Sequence, residues 1–263
     1  MANDSIGRTF GVALCVCLVC SVLVSFAAVS LRPTQAVNKA LDKKRNILMA
    51  AGFVKAGETV SGERIEELYK NIEARVVNLA TVHYEGSIDA VGYDQRRAAK
   101  DLAQSMAIPA GEDFGGIKRR ANLASAYLVS DRGKVRKVIL PMHGKGLWST
   151  LYGFIALDAK DINTIRGLVY YEHAETPGLG GEVDNPSWKA LWDGKMAFDE
   201  SGSVRIEVIK GKVVPGRAET KYQVDGLSGA TITSRGVKGM LRYWLGEGGY
   251  GKYLAKLKQQ GVS

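Results

Sequence analysis

The chain has 263 residues, a formal net charge of +9 and 46% hydrophobic residues, enough for one large domain or two small ones with a buried core. The positive charge is spread along the chain rather than gathered in a block, which excludes a nucleic-acid-binding tail. All three cysteines, Cys15, Cys17 and Cys20, fall in one apolar run, which excludes disulfide and thiolate chemistry from the rest of the chain.

Residues 1–8 are a short tail. From Thr9 to Leu31 the chain runs 23 residues without a charge. As a helix this segment spans roughly 35 Å, enough for a hydrocarbon core of about 30 Å, so it reads as a transmembrane helix. A cleaved signal peptide is the competing reading, but its apolar core runs only about 7–15 residues. The three cysteines do not share one helical face and lack a fourth ligand, so they read as small apolar residues rather than a metal site. Arg8 is the only side-chain cation before the span, whereas Arg32, Lys39, Lys43, Lys44 and Arg45 follow it. By the positive-inside tendency alone, the remainder would lie in the cytoplasm. The Lys43-Lys44-Arg45 run suits anionic headgroups of the bilayer or a partner protein of a complex.

Residues 32–60 read as a neck, helix-compatible from Gln35 to Ala51, and residues 61–263 as the globular part. Ser61 is a helix N-cap before Ile65, Leu68, Tyr69, Ile72, Val76 and Leu79, which recur at helical spacing. Residues 84–122 are polar, with scattered Gly, Pro and Arg, and read as loops and short helices. Ala124–Ser130 and Lys134–Leu140 flank Asp131-Arg132-Gly133, a hairpin signal. Thr150–Asp158 and Thr164–Glu172 are further strands. Asn185-Pro186 opens a short helix through Trp188 and Trp192, and Val204–Ile209 is another strand. A last amphipathic helix runs from about Arg235 to Leu245, followed by a basic helix with Tyr253, Leu254 and Leu257. Successive strands with helices around them predict an α+β domain with a mostly antiparallel sheet and flanking helices.

Three stretches contain candidate chemistry. In Asp225-Gly-Leu-Ser228-Gly229-Ala230-Thr231-Ile-Thr-Ser234, four hydroxyls sit beside small residues before the last helix, with Thr233 or Ser234 as its N-cap. Thr231 then lies just outside a helix N-terminus, where free N–H groups favour a phosphate; an ordinary hydroxyl-capped turn is the plainer alternative. His173-Ala-Glu175-Thr176-Pro-Gly-Leu179-Gly180-Gly-Glu182 is either a loop shaped to approach a flat ligand or a plain surface loop. In His143-Gly-Lys-Gly-Leu147-Trp148-Ser149, Trp148 either stacks on an aromatic ring or fills the core. His83, His143 and His173 are single and show no metal-ligand spacing, and no P-loop, nucleophile elbow or dinucleotide fingerprint occurs.

The ordered set GKGLWS, ETPGLGGE and DGLSGATITS behind one N-terminal span resembles the C subunit, the covalent FMN-binding one, of the Na+-translocating NADH:quinone oxidoreductases. The likeness runs over essentially the whole chain. The resemblance implies FMN joined through its phosphate to Thr231 in a phosphoester, with Ser228 or Thr233 as the alternative attachment point. A separate flavin transferase would make that bond from FAD, with Asp225, Ser228, Gly229 and Ala230 as its recognition motif. It further implies that Leu147, Trp148, Ser149, Glu175, Thr176, Leu179 and Gly180 contact the isoalloxazine ring. Such a chain has no catalytic residue of its own and is not active alone. It relays electrons that enter from NADH elsewhere in the complex and pass through flavin and iron–sulfur subunits towards quinone. The resemblance puts the globular part on the periplasmic side of a bacterial inner membrane, against the flanking charges. The flavin-bearing G subunit of the related ferredoxin–NAD oxidoreductase (Rnf) complex is the nearest alternative; a cofactor-free, membrane-anchored binding module is another.

Overall fold

The computed structural model describes residues 6–55 and 57–262. The chain divides into two units, residues 1–44 and 45–263. Helix α1, Ile6–Ala51, runs unbroken through Pro33, so the expected span and the first half of the neck are one helix of 46 residues. In the first unit it is exposed throughout residues 6–40, and it is long and apolar enough to cross a membrane. The helix ends where Gly52 takes φ +80°, while the Gly52 and Phe53 N–H groups bond the carbonyls of Met49 and Leu48 at 3.0 and 2.9 Å.

The neck expected over 32–60 is divided by the structure. Its residues from Arg45 onward belong to the second unit, where Ile47, Leu48, Ala50 and Ala51 are buried.

In that unit Ser61 caps helix α2, Gly62–Tyr69, by accepting from the Arg64 N–H at 3.2 Å. The helix expected to reach Leu79 stops there. Ile72–Asn78 is instead strand β1, antiparallel to β4, Leu123–Asp131. Ile72 and Val76 satisfy a helical spacing and a strand spacing alike, and a sheet partner decides between them. The 84–122 region holds helix α3, Gln95–Ala98, and a small ribbon of β2, Ser105–Ala107, and β3, Arg119–Ala121.

The main sheet runs β1-β4-β5-β6-β7 and is antiparallel throughout, with β5 at Lys134–Lys145, β6 at Thr150–Asp158 and β7 at Ile165–Glu172. Arg132 and Gly133 both take positive φ, +50° and +75°, the two-residue turn whose twist matches a hairpin. The central strands are buried on both faces over most of their length. Leu128, Leu140, Met142, Ile155 and Leu168 join the main core, with Val237, Met240, Leu241 and Trp244 of helix α5, Thr231–Leu245, and Tyr253, Leu254 and Leu257 of helix α6, Gly251–Gln260. Tyr127, Ile139 and Phe154 are buried on the opposite face, where the Lys137 ammonium donates to the Ala51 carbonyl at 2.6 Å.

Short helix α4, Pro186–Ala190, is capped by Asn185 as its sequence predicts. The strand expected at Val204–Ile209 shrinks to β8, Glu207–Val208, paired in parallel with β9, Gln223–Val224, because Val204 pairs instead with Phe198.

Helix α5 lies on β5 at backbone distance. A Cβ on Gly239 would stand 1.9 Å from the Phe114 carbonyl oxygen, and one on Gly236 would stand 2.2 Å from that of Lys145. The Trp244 indole N–H donates to the His143 carbonyl at 2.7 Å across the same contact. Gly→Ala inside a helix ordinarily gains about 1 kcal/mol. Here Gly239→Ala is expected to lose about 2 kcal/mol through overpacking, read as a lower urea midpoint at unchanged m-value.

Candidate functional site

The three stretches singled out in the sequence meet at one carboxylate. Glu175 lies in the loop after β7 and is only 5% exposed. Its Oε1 accepts from the backbone N–H groups of Trp148 at 2.9 Å and Ser149 at 3.1 Å. Its Oε2 accepts from the Leu147 N–H at 3.2 Å and from the Thr233 hydroxyl at 2.6 Å. One side chain thus ties the β5–β6 turn and the first turn of α5 to the ETPGLG loop. Burial raises the Glu175 pKa, but the bonds from Thr233 and the three backbone donors outweigh it and hold the carboxyl below its ordinary range. The node has no space to spare: a Cβ on Gly146 would come 2.5 Å from Oε1, and one on Gly180 2.6 Å from Oε2.

Two further ties hold the loop. The Ser149 hydroxyl accepts from the Ala174 N–H at 2.7 Å. His173 Nδ1 accepts from the Glu175 N–H at 3.2 Å, which puts the ring proton on Nε2, 2.7 Å from Asp184 Oδ2. Lys189 donates to the other oxygen of Asp184 at 2.8 Å.

The 225–234 stretch differs from its sequence reading at the helix start. Helix α5 begins at Thr231, and the cap position belongs to Ala230, whose side chain accepts nothing. Thr233 and Ser234 lie inside the first turn and are buried: Thr233 donates to Glu175, and the Ser234 hydroxyl accepts from the Leu227 N–H at 3.0 Å. Thr231 is therefore the first helical residue rather than one outside the helix, and it is exposed with Ser228 and Gly229 beside it. Asp225 anchors the stretch from the far side. Its carboxylate accepts from the Val213 N–H, and its carbonyl accepts from the Trp188 indole, both at 2.8 Å.

Of the residues expected to touch a ring, Leu147, Trp148 and Leu179 are exposed at 43, 67 and 44%. Trp148 thus lies outside the core, and Ile232, which the sequence did not single out, is exposed at 53% beside Thr231. Thr176 is exposed, and its carbonyl accepts from the Leu179 and Gly181 N–H groups. Ser149, Glu175 and Gly180 make up the frame beneath this apolar rim. Sequence reasoning missed Thr233 as the partner of Glu175 and His173 as its support. The Thr233 hydroxyl was legible only as a helix cap.

The family model described as the FMN-binding domain matches residues 146–246, which hold the 173–182 and 225–234 stretches and the Gly146–Ser149 end of the first. Fold and site together define the class: an FMN-binding domain behind an N-terminal apolar helix. The C subunit of the Na(+)-translocating NADH-quinone reductase of Pseudomonas aeruginosa is 51% identical over 98% of this chain and 99% of its own length. Its counterpart in Vibrio parahaemolyticus is 47% identical over 99% of this chain and 98% of its own. The crystal structure of Shewanella oneidensis NqrC superposes with a TM-score of 0.76 at 37% identity, covering 85% of this chain and all of that one. The corresponding crystal structure from Parabacteroides distasonis gives 0.64 at 33% identity, covering 85% and 96%. The chain belongs to the NqrC family, the C subunits of Na(+)-translocating NADH-quinone reductases, which decides against the Rnf reading.

Glu175→Gln is expected to keep the loop's shape but set an amide N–H against donors, costing about 2 kcal/mol near neutral pH. The native carboxyl has a depressed folded pKa, so its contribution is present above the ordinary carboxylate range and fades as pH falls through the folded value. Urea midpoints of the two proteins measured against pH should converge in acid.

Proposed function

We propose that this chain is the electron-relay subunit of a Na(+)-translocating NADH-quinone reductase and that it holds FMN by a phosphoester on Thr231. The observation that carries the proposal is the start of α5. An exposed hydroxyl occupies the first helical position of a helix that no side chain caps. An uncapped first turn leaves backbone N–H groups unsatisfied, and a phosphate bonded at Thr231 would be the anion that satisfies them. Thr233, three positions from the cap, is no rival attachment point, because its hydroxyl is buried and committed to Glu175.

In the attachment step a flavin transferase moves the FMN phosphoryl group from FAD to Thr231. The Thr231 Oγ1–P bond forms, the bond to AMP breaks, the threonine proton is lost and AMP leaves. Asp225 fixes the loop that presents Ser228, Gly229 and Ala230 to that enzyme. Leu147, Trp148, Thr176 and Leu179 supply apolar contacts to the ring, with Ser149, Glu175 and Gly180 setting their positions. Bound FMN supplies reversible electron uptake and release, and the protein's contribution is to hold and tune it. Electrons reach it from the flavin and iron–sulfur subunits of the complex and leave towards quinone, a transfer that the complex couples to Na+ movement. A covalent bond keeps the cofactor in place where no free flavin pool can replace it. That matters if the globular unit faces the periplasm, as the likeness to the family implies and the flanking charges oppose.

Two measurements test this reading. Expressed with the transferase, the full chain should give a fluorescent band under ultraviolet light after denaturing electrophoresis. Thr231→Ala should be dark while changing stability by no more than about 0.5 kcal/mol. A dark wild-type band would overturn the covalent assignment. Separately, protease added to intact spheroplasts should digest residues 45–263 if the unit is periplasmic; digestion only after lysis would reverse the orientation.

A further inference from the structure

A second concave feature lies beside the turn end of the β5–β6 hairpin, where a cavity of about 360 Å³ is lined by Arg96, Lys100, Lys118, Arg119 and Thr150. It shares His143 and Gly144 with the 143–149 stretch, but none of its lining residues belongs to the 173–184 loop or to the 225–234 stretch. We propose that this cavity binds a small phosphate monoester dianion.

The charge balance carries the argument. Arg96 is bidentate to Glu172 at 2.5 and 2.8 Å, with its guanidinium 3.6 Å over the Tyr152 ring, so it is fixed in place and neutralised. Arg119 makes three bonds to Ser105 at 3.0–3.1 Å, all to neutral oxygens, which orient its charge without cancelling it. Lys100 and Lys118 are exposed, and among the described residues neither forms an ion pair. No carboxylate lines the cavity. The Asp113 carboxylate beside Lys118 accepts from the N–H groups of Ile117 at 2.7 Å and Lys118 at 2.8 Å. Four cations less Glu172 and Asp113 leave an excess of +2, which matches the charge of a phosphate monoester near neutral pH. His143, which also lines the cavity, adds no charge there, since burial and the nearby Arg96 lower its pKa to about 4.

The backbone points the same way. Lys118 adopts φ +67°, a conformation unfavourable for a lysine, and the Asp113 bonds impose it. The strained turn brings a lysine to the mouth of the cavity. Lysine point charges and the uncancelled charge of Arg119 beside the Thr150 hydroxyl suit phosphate oxygens, while Arg96, spent on Glu172, shapes the wall.

The experiment is a calorimetric titration of glycerol 3-phosphate into the detergent-solubilised full chain, flavin-loaded and flavin-free, with dimethyl phosphate as the singly charged comparison. The monoester should bind both forms equally, at least about tenfold more tightly than the diester, and more weakly as salt rises. Lys100→Ala combined with Lys118→Asn should weaken binding roughly tenfold or more. Asparagine tolerates the left-handed conformation, so this variant is expected to fold, and Arg132→Ala in the distant hairpin turn should bind like wild type. No binding, equal binding of the diester, or an unchanged double variant would overturn the proposal. Binding confined to flavin-free chain would also overturn it, because the cavity would then belong to the flavin's own phosphate.

Discussion

The Glu175 carboxylate is the constraint on which the site depends. A buried carboxylate is stable only when donors surround it, and this one takes three backbone N–H groups from one turn and a hydroxyl from a helix. Each donor comes from a segment that would otherwise be a separate surface feature. Their shared acceptor turns three loops into one rim, on which Leu147, Trp148, Leu179 and Ile232 stand exposed. Apolar side chains in such numbers rarely face water on a rigid frame without something to cover them. On the reading proposed here, the flavin ring does so.

The same frame leaves Ser228 and Thr231 as the exposed hydroxyls among four neighbours, with Thr231 alone in the first helical position. Thr233 and Ser234 turn inward and are consumed by Glu175 and the Leu227 N–H. Their commitment winds the helix one turn further back than its apolar pattern indicates, so Thr231 and Ile232 emerge at its start. Helix α5 can hold this position because Gly236 and Gly239 let it rest directly on the backbone of β5 and the 114–115 segment. Packing, hydrogen bonding and the exposure of Thr231 are therefore consequences of one docking arrangement.

Both faces of the antiparallel sheet are buried, which accounts for the long apolar runs in its central strands. Helices α5 and α6 cover the face beneath the site. On the other face, buried residues from the last turn of α1 accompany Tyr127, Ile139 and Phe154. The segment read as a neck is thus partly core, and the loop-rich 84–122 region contributes Arg96, Lys100, Lys118 and Arg119 to a basic cavity.

The sequence alone was sufficient for the apolar span, the antiparallel α+β architecture, the Ser61 and Asn185 caps, the 131–133 hairpin and the three stretches that form the site. These features rest on local physics: hydropathy over one span, β-rich apolar runs between turn signals, and the turn and cap chemistry of a few residues. The tertiary structure alone decided the rest. Ile72 and Val76 fit a helix and a strand equally until β4 offers a partner, and Val204–Ile209 loses most of its strand to competing pairings. The sequence also shows that Glu175, Thr233 and Trp148 are present, but not that the Glu175 carboxylate binds the Thr233 hydroxyl and the Trp148 N–H while the indole stays exposed. Such contacts join residues 26 to 58 positions apart. They exist only once the sheet brings the ends of β5, β6 and β7 to the start of α5, a long-range arrangement that no local pattern encodes.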